Sequence, residues 1–265
     1  MEAYEGFASV YDTFMEETDY AMWVNYLHQI WEKQNFQPKL IADLGCGTGN
    51  VIQILAKQGY DVIGIDMSED MLAEAKKKAQ SENLDILYLL QDMREFELYG
   101  TVNCIISLYD SLNYILEEQE LLQVFRLVNN YLHPKGLFIF DMNTEYKFKE
   151  ILAQNSFGET KQNSAYIWEN YYDEEQKINE FYMNFFIKQK DGSYERKEEY
   201  HYERAYDIVT VKKLLEQSGL ELCGVYDAYT FQPPKSDSQR VYFVAKEVQK
   251  TEQCDVLQEE FCNER

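Results

Sequence analysis

The sequence predicts an α/β fold: a doubly wound, seven-stranded, mostly parallel sheet that carries an antiparallel β insertion. Three observations lead there. Short apolar runs alternate with helix-period stretches from residue 39 to 142, the rhythm of a parallel sheet with helices on both faces. The first strand-to-helix junction is glycine-rich, Asp43-Leu-Gly-Cys-Gly-Thr-Gly49, as where a chain turns sharply against a ligand. Between residues 165 and 206 the apolar period switches to two, which reads as antiparallel strands.

Taken in order, Lys39 to Ala42 is an apolar run that gives a strand over 39–43, and Val51-Ile-Gln-Ile-Leu-Ala-Lys57 gives a helix over 49–58. Strand 61–65 ends at Asp66, and Ser68 caps a helix over 68–80 whose apolar face opens at Met71. Strands follow at 85–90 and 102–107, then a helix at 118–132. The turn His133-Pro-Lys-Gly136 leads into strand 136–141, which puts His133 at the far side of the sheet from its carboxyl ends. The insertion reads as three strands, 165–172, 177–189 and 194–206, the last two joined by Lys190-Asp-Gly-Ser193. Phe181, Met183, Phe185 and Ile187 share one face of the middle strand, and Tyr194, Tyr200, Tyr202 and Tyr206 share a face of the third with Arg196 and Arg204. A helix closed by Gly219 and strands at 221–227 and 240–246, joined by a Pro-rich loop, complete the sheet. The expected organisation is an N-terminal segment 1–38, a core of 39–145 and 207–248, the insertion 146–206, and an acidic tail 249–265.

Bulk composition narrows the partners. The hydrophobic fraction is 45%, enough for a core, and no apolar run reaches the length of a membrane span. Five cysteines with no CxxC pair fit a reducing, cytoplasmic setting, and the pattern names no metal site. The formal charge of −22 argues against nucleic acid, whose affinity is built on Lys and Arg against phosphate. Lys76-Lys-Lys78 reads as solvated helix surface.

The glycine turn is the centre of the functional reading. Free amides at the start of the following helix favour electronegative ligand groups. A dinucleotide site would show GxGxxG. Here Gly45, Gly47 and Gly49 alternate, and Asp43 precedes them by two residues. This pattern resembles motif I of the class I S-adenosylmethionine (SAM) methyltransferases, and the misplaced third glycine weighs against an NAD-dependent reductase. Asp66 falls about twenty residues on, where a carboxylate meets ribose hydroxyls. By the resemblance, Asp43 contacts the methionine ammonium and the turn, Cys46 included, curls around the methionine half. Asp92 then accepts from the adenine amino group, the Met93 amide meets a ring nitrogen, and Met67 and Met93 flank the base. The polar loop after Val102-Asn-Cys-Ile-Ile-Ser-Leu108 faces the transferable methyl, with Leu108 at the cofactor and Tyr109 and Tyr114 toward the acceptor. S-adenosylhomocysteine is the product the resemblance implies.

A second likeness lies at the N-terminus. Tyr4-Glu-Gly-Phe7-Ala8-Ser-Val-Tyr11-Asp12 resembles a segment that opens many small-molecule methyltransferases and forms a helical lid over the cofactor, with Tyr4 and Tyr11 near its methionine end. The resemblance implies that segment 1–38 is that N-terminal helical lid and that the insertion 146–206 lies on the substrate side. The same spacing also suits an amphipathic helix that simply packs. Overall the chain resembles bacterial small-molecule methyltransferases of the amino-sugar N-methyltransferase type. The implied reaction is methyl transfer to an N or O nucleophile, with Asp110, Asn113 or Tyr11 as proton or orientation partner. A tyrosine face that includes Tyr200 and Tyr202 suits an amine acceptor. It suits equally an ordinary half-exposed strand or the interface of a homodimer. An RNA or protein methyltransferase and a SAM-binding protein without turnover are the alternatives.

Overall fold

The computed structural model describes residues 8–250, with side chains from Tyr11 onward. Two helices come first, α1 (Ala8–Phe14) and α2 (Tyr20–Lys33). The alternating part follows as β1 (Leu40–Leu44), α3 (Asn50–Lys57), β2 (Asp61–Asp66), α4 (Glu69–Ser81), β3 (Leu87–Leu90) and β4 (Val102–Ser107). A 3-10 turn (Ser111–Tyr114) leads to α5 (Glu118–Tyr131) and β5 (Leu132–Asn143). After a π-helical turn (Lys147–Leu152) come β6 (Ser156–Thr160), β7 (Ser164–Asp173), β8 (Ile178–Lys188) and β9 (Tyr194–Arg204). The chain then forms α6 (Ile208–Ser218), β10 (Leu220–Asp227) and β11 (Arg240–Glu247). Tyr4, Phe7 and the tail from residue 251 lie outside the described residues.

The expected seven-stranded sheet is present in the order β10-β11-β5-β4-β1-β2-β3. β11 pairs antiparallel with both neighbours, while the β1, β2, β3, β4 and β5 pairings are parallel. Strand order reverses at β1 and β4, so a crevice opens beyond their carboxyl ends. β5 starts earlier than its apolar run suggested. Val102 pairs with Leu132 but Cys104 pairs with Leu137, so the His133–Gly136 turn is a bulge inside the strand.

α2 shows why the N-terminal segment is not all lid. Its Trp23, Val24, Leu27, Ile30 and Trp31 form a helical stripe buried in one cluster with Ile41, Ile106 and Ile139. Asp19 starts it by accepting from the Met22 amide at 2.9 Å. The helix is therefore part of the layer against the sheet, and both helices reach the crevice, α1 through Tyr11 and α2 through Tyr20 and Trp23 at its start.

The insertion is a separate antiparallel sheet with four strands, β6-β7-β8-β9, rather than three. β6 was not legible because Ser156-Phe-Gly-Glu-Thr160 is an edge strand, nearly all exposed, with no alternating apolar face. On β8 the expected inner face forms, with Phe181 and Phe185 buried. The register pairs His201 with Phe181 and Glu199 with Met183, so Glu199, His201 and Glu203 point inward and are buried. Tyr200 and Tyr202 point outward and are 52% and 43% exposed. α1 packs between α4 and the insertion: Tyr11 and Phe14 share a cluster with Met71 and Phe185, and Phe14 meets the edge of Tyr166 on β7 at 4.9 Å.

Candidate cofactor and acceptor site

The turn after β1 is held by its own backbone. The Gly45 and Cys46 amides donate to the Ile65 carbonyl at 2.8 and 3.0 Å, which fixes the turn against the tip of β2. Gly47 has φ 53°, and a side chain there would touch nothing within 4 Å, so the turn leaves an open cradle. Gly49 plays a different part from the one expected. It does not line the crevice, and a Cβ on it would come within 2.7 Å of the Tyr88 hydroxyl. It lets α3 start close to β3.

Asp66 completes the cradle. One carboxylate oxygen accepts the Gly47 amide at 2.7 Å and the other the Ser68 amide at 2.9 Å. Burial pushes its carboxyl up, and these amides pull against that. Asp43 is 4% exposed. Burial, then repulsion from Asp66 and Asp141, pushes its carboxyl up to about 8. A buried acid of this kind is relieved by a nearby cation.

The crevice encloses about 300 Å³. It is lined by Asp43, Gly45, Cys46, Gly47 and Asp66 from the tips of β1 and β2 and the turn between, by Met67 after β2, by Leu108 after β4, and by Asp92, Met93 and Arg94 after β3. Tyr11, Tyr20, Trp23, Tyr109 and Tyr114 ring the opposite end. Asp92 is already engaged, because Arg94 reaches back to grip both its oxygens. Burial pushes the Asp92 carboxyl up, but that guanidinium holds it below the usual range. Tyr109 stacks on Trp23 at 5.2 Å, and the Arg240 guanidinium covers its ring at 5.0 Å from the centroid.

Besides Gly49, four of the expected site residues stand outside this lining. Tyr200 and Tyr202 face away from the crevice because their strand register turns them to solvent. Asp110 is buried and its carboxylate pairs with Arg240 at 2.5 Å. Burial pushes Asp110 up, but Arg240 and then Lys147 outweigh it, and the carboxyl stays below the usual range. Asn113 is fully buried, its amide donating to the Arg204 carbonyl at 2.8 Å and its oxygen accepting the Asn143 amide at 2.9 Å. It stitches the turn after β4 to the ends of β5 and β9.

Several functional side chains escaped the sequence reading. Tyr109 and Asp110 both adopt φ near +60°, and their successive amides converge on the Asp141 carboxylate at 2.8 Å each. Arg240 on β11 bridges Asp141 and Asp110. An acid at the carboxyl tip of β5 was a signal available in Leu137-Phe-Ile-Phe-Asp141. Trp23 and Tyr20 gave no signal beyond the helix period. On β9, burial and then Asp110 push the Glu203 carboxyl far up, and Asn143 donates to it at 3.1 Å.

A doubly wound sheet with this turn and an acid at the tip of β2 defines a nucleoside-cofactor-binding α/β protein. Comparison with known proteins is more specific. Residues 41–136 match the family described as "Methyltransferase domain". A protein of Geobacillus sp. (strain WCH70) whose name calls it a methyltransferase is 36% identical over 244 residues, 92% of this chain and 99% of that one. The crystal structure of an S-adenosylmethionine-dependent methyltransferase from Clostridium acetobutylicum ATCC 824 superposes with TM-score 0.83 at 29% identity. That match covers 93% of this chain and 100% of the other. A Streptomyces venezuelae protein, dTDP-3-amino-3,4,6-trideoxy-alpha-D-glucopyranose N,N-dimethyltransferase, is 27% identical over 136 residues, 51% of this chain and 56% of its own. The chain belongs to the SAM-dependent methyltransferases. The residues present fit that cofactor: Gly47 leaves the cradle open, Asp66 keeps lone pairs for a diol, and buried Asp43 calls for a cation.

Proposed function

We propose that this enzyme methylates a small-molecule acceptor at nitrogen or oxygen, with an amine as the favoured class, in the cytoplasm. The observation that carries the reading is the crevice itself. Its acceptor end is a small aromatic enclosure of Tyr11, Trp23, Tyr109 and Tyr114, and Tyr11 packs in one cluster with Phe185 of the insertion. Such a space suits a compact substrate, and aromatic faces beside carboxylates suit a cationic one. The amino-sugar specificity in the name of the Streptomyces relative supports an amine, and the charge of −22 disfavours a nucleic acid.

SAM supplies an already activated methyl group, so the protein's work is placement. Asp66 would take the ribose and Asp43 the methionine ammonium, while Met67 and Met93 would sandwich the base. Arg94 keeps Asp92 ionised and in position as an acceptor beside it. Asp110 and Asn113 act by positioning: the first anchors Arg240 under Tyr109, and the second fixes Tyr114 by holding its turn. The outer face of the insertion, with Ile167, Tyr171, Tyr200 and Tyr202 exposed, supports a homodimer through that sheet.

The test is S-adenosylhomocysteine release from purified protein and SAM, supplied separately with a small-metabolite filtrate, RNA and protein from a cell lysate. Turnover is expected with the filtrate. Turnover confined to RNA or protein would replace this reading with a macromolecular acceptor.

A further inference from the structure

The inner face of β9 carries a polar triad that cofactor binding does not use. Tyr114 lines the acceptor end of the crevice, and its hydroxyl lies 3.2 Å from His201 Nδ1. His201 Nε2 lies 3.0 Å from Glu199 Oε2. His201 is 3% exposed and Glu199 2%. The rings of Tyr114 and His201 meet edge to face, 5.9 Å apart at 81°. A phenol at the crevice, an imidazole behind it and a buried carboxylate behind that form a chain from the acceptor end into the protein.

We propose that Tyr114, His201 and Glu199 form the proton relay of the methyl transfer, with His201 as the base. This deepens the small-molecule reading and rests on it. The relay uses one tautomer, in which neutral His201 donates Nε2–H to Glu199 and presents the Nδ1 lone pair to the Tyr114 hydroxyl. As the acceptor atom's electron pair forms its bond to the methyl carbon, the carbon–sulfur bond breaks and its pair stays on sulfur. The acceptor's proton passes to the Tyr114 oxygen while the Tyr114 proton moves to His201 Nδ1. The product side then holds a methylated acceptor, a neutral thioether and an imidazolium stabilised by Glu199. The opposite inward orientation of β9 is what makes this possible, since the tyrosine-rich face is the outer one.

Other charged groups share this face or pack against it. Glu203 lies on the same strand, Asp110 and Tyr114 come from the turn after β4, Lys147 follows β5, and Arg240 comes from β11. Among them Asp110 is paired with Arg240, and Glu203 and Lys147 are both joined to Asn143. The relay is thus bordered by groups already committed to partners.

The chain has three histidines, so the His201 ring nitrogens are identified in long-range proton–nitrogen spectra by comparison with His201→Asn. The relay requires the proton on Nε2, and Tyr114→Phe must shift the Nδ1 resonance by removing its donor. With the lysate filtrate as acceptor source, His201→Asn and Tyr114→Phe should lower S-adenosylhomocysteine release at least about 100-fold. SAM affinity by calorimetry should stay within threefold of wild type. Glu199→Asp should recover more rate than Glu199→Gln. A proton on Nδ1, or a His201→Asn enzyme within threefold of the wild-type rate, overturns the relay. A wild-type protein inactive with the filtrate refutes the small-molecule reading instead, and the tautomer still decides the relay.

Discussion

At the scale of single residues, Asp43 links cofactor binding to pH. Its carboxyl sits near 8 in the folded chain against an ordinary value of about 3.9 in the unfolded one. The folded state therefore binds more protons than the unfolded state across that window. Its stability is fully present below about pH 4 and falls as pH rises toward 8. A methionine ammonium beside Asp43 reverses the preference, because it favours the ionised carboxylate. SAM affinity should therefore strengthen from pH 6 to 8 by up to about tenfold per pH unit, the slope of one released proton. Asp43→Asn should flatten that dependence and weaken binding, yet melt at a higher temperature than wild type at pH 8 without SAM. Calorimetry at three pH values and thermal melts check both; equal slopes for the two proteins would remove Asp43 from the ammonium site. Asp43 and Asp66 were legible as crevice residues because a local pattern, acid then alternating glycines then acid, marks the turn they stand beside. Arg240 and His201 were not, since Arg240 meets Asp110 and Asp141, and His201 meets Tyr114, across dozens of residues of chain. The period of β9 separates two faces without saying which one is inside, so it did not place His201.

At the scale of elements, α1 is held to the cofactor turn by one residue. Asp12 accepts from the Thr48 hydroxyl at 2.7 Å, the Asn50 amide at 2.9 Å and Lys78 Nζ at 2.6 Å. Burial pushes its carboxyl up, but these three bonds outweigh it and keep it below the usual range. Lys78 is therefore not the solvated surface residue that a run of three lysines suggests; it bridges α4, Asp12 and Asn50. The ion pair is partly exposed, so its worth is about 1 kcal/mol or less. Asp12→Ala should then weaken SAM binding about fivefold and raise amide exchange in residues 8–14, with the sheet unchanged. Unaltered exchange in α1 would show that Phe14, packed on Tyr166 and Phe185, holds the helix by itself. Long elements with a clean period were readable: strands β1, β2 and β4, helices α3 to α6 and the terminal antiparallel pair all fall where their patterns place them. β6 failed because an exposed edge strand needs no apolar alternation, and α2 was absorbed into the lid because a resemblance covered its neighbour.

At the scale of the whole molecule, the two sheets divide the labour, and charge acts on both. The parallel sheet supplies the turn and the acid of the crevice from β1 and β2, while the inner face of the insertion sets His201 and Glu199 behind Tyr114. That leaves the outer face of the insertion unassigned by the chemistry. It presents Ile167, Tyr171, Tyr200 and Tyr202 to solvent, with Tyr182 stacked on Tyr200 at 4.7 Å. Glu169, Glu180 and Glu198 interleave with them. A homodimer through this face would bring together two chains of formal charge −22, and their mutual repulsion would oppose association. Salt screens such repulsion over about 10 Å at 0.1 M, while the aromatic contact is insensitive to it. Dimerisation should therefore tighten as sodium chloride rises from about 0.05 to about 0.5 M, the reverse of a contact built on opposite charges. Tyr200→Glu should abolish it at every salt concentration without altering SAM affinity, because Tyr200 touches neither the crevice nor the relay. Sedimentation equilibrium decides the matter: a monomer throughout the series, or a Tyr200→Glu dimer as tight as wild type, would free this face from any role in self-association.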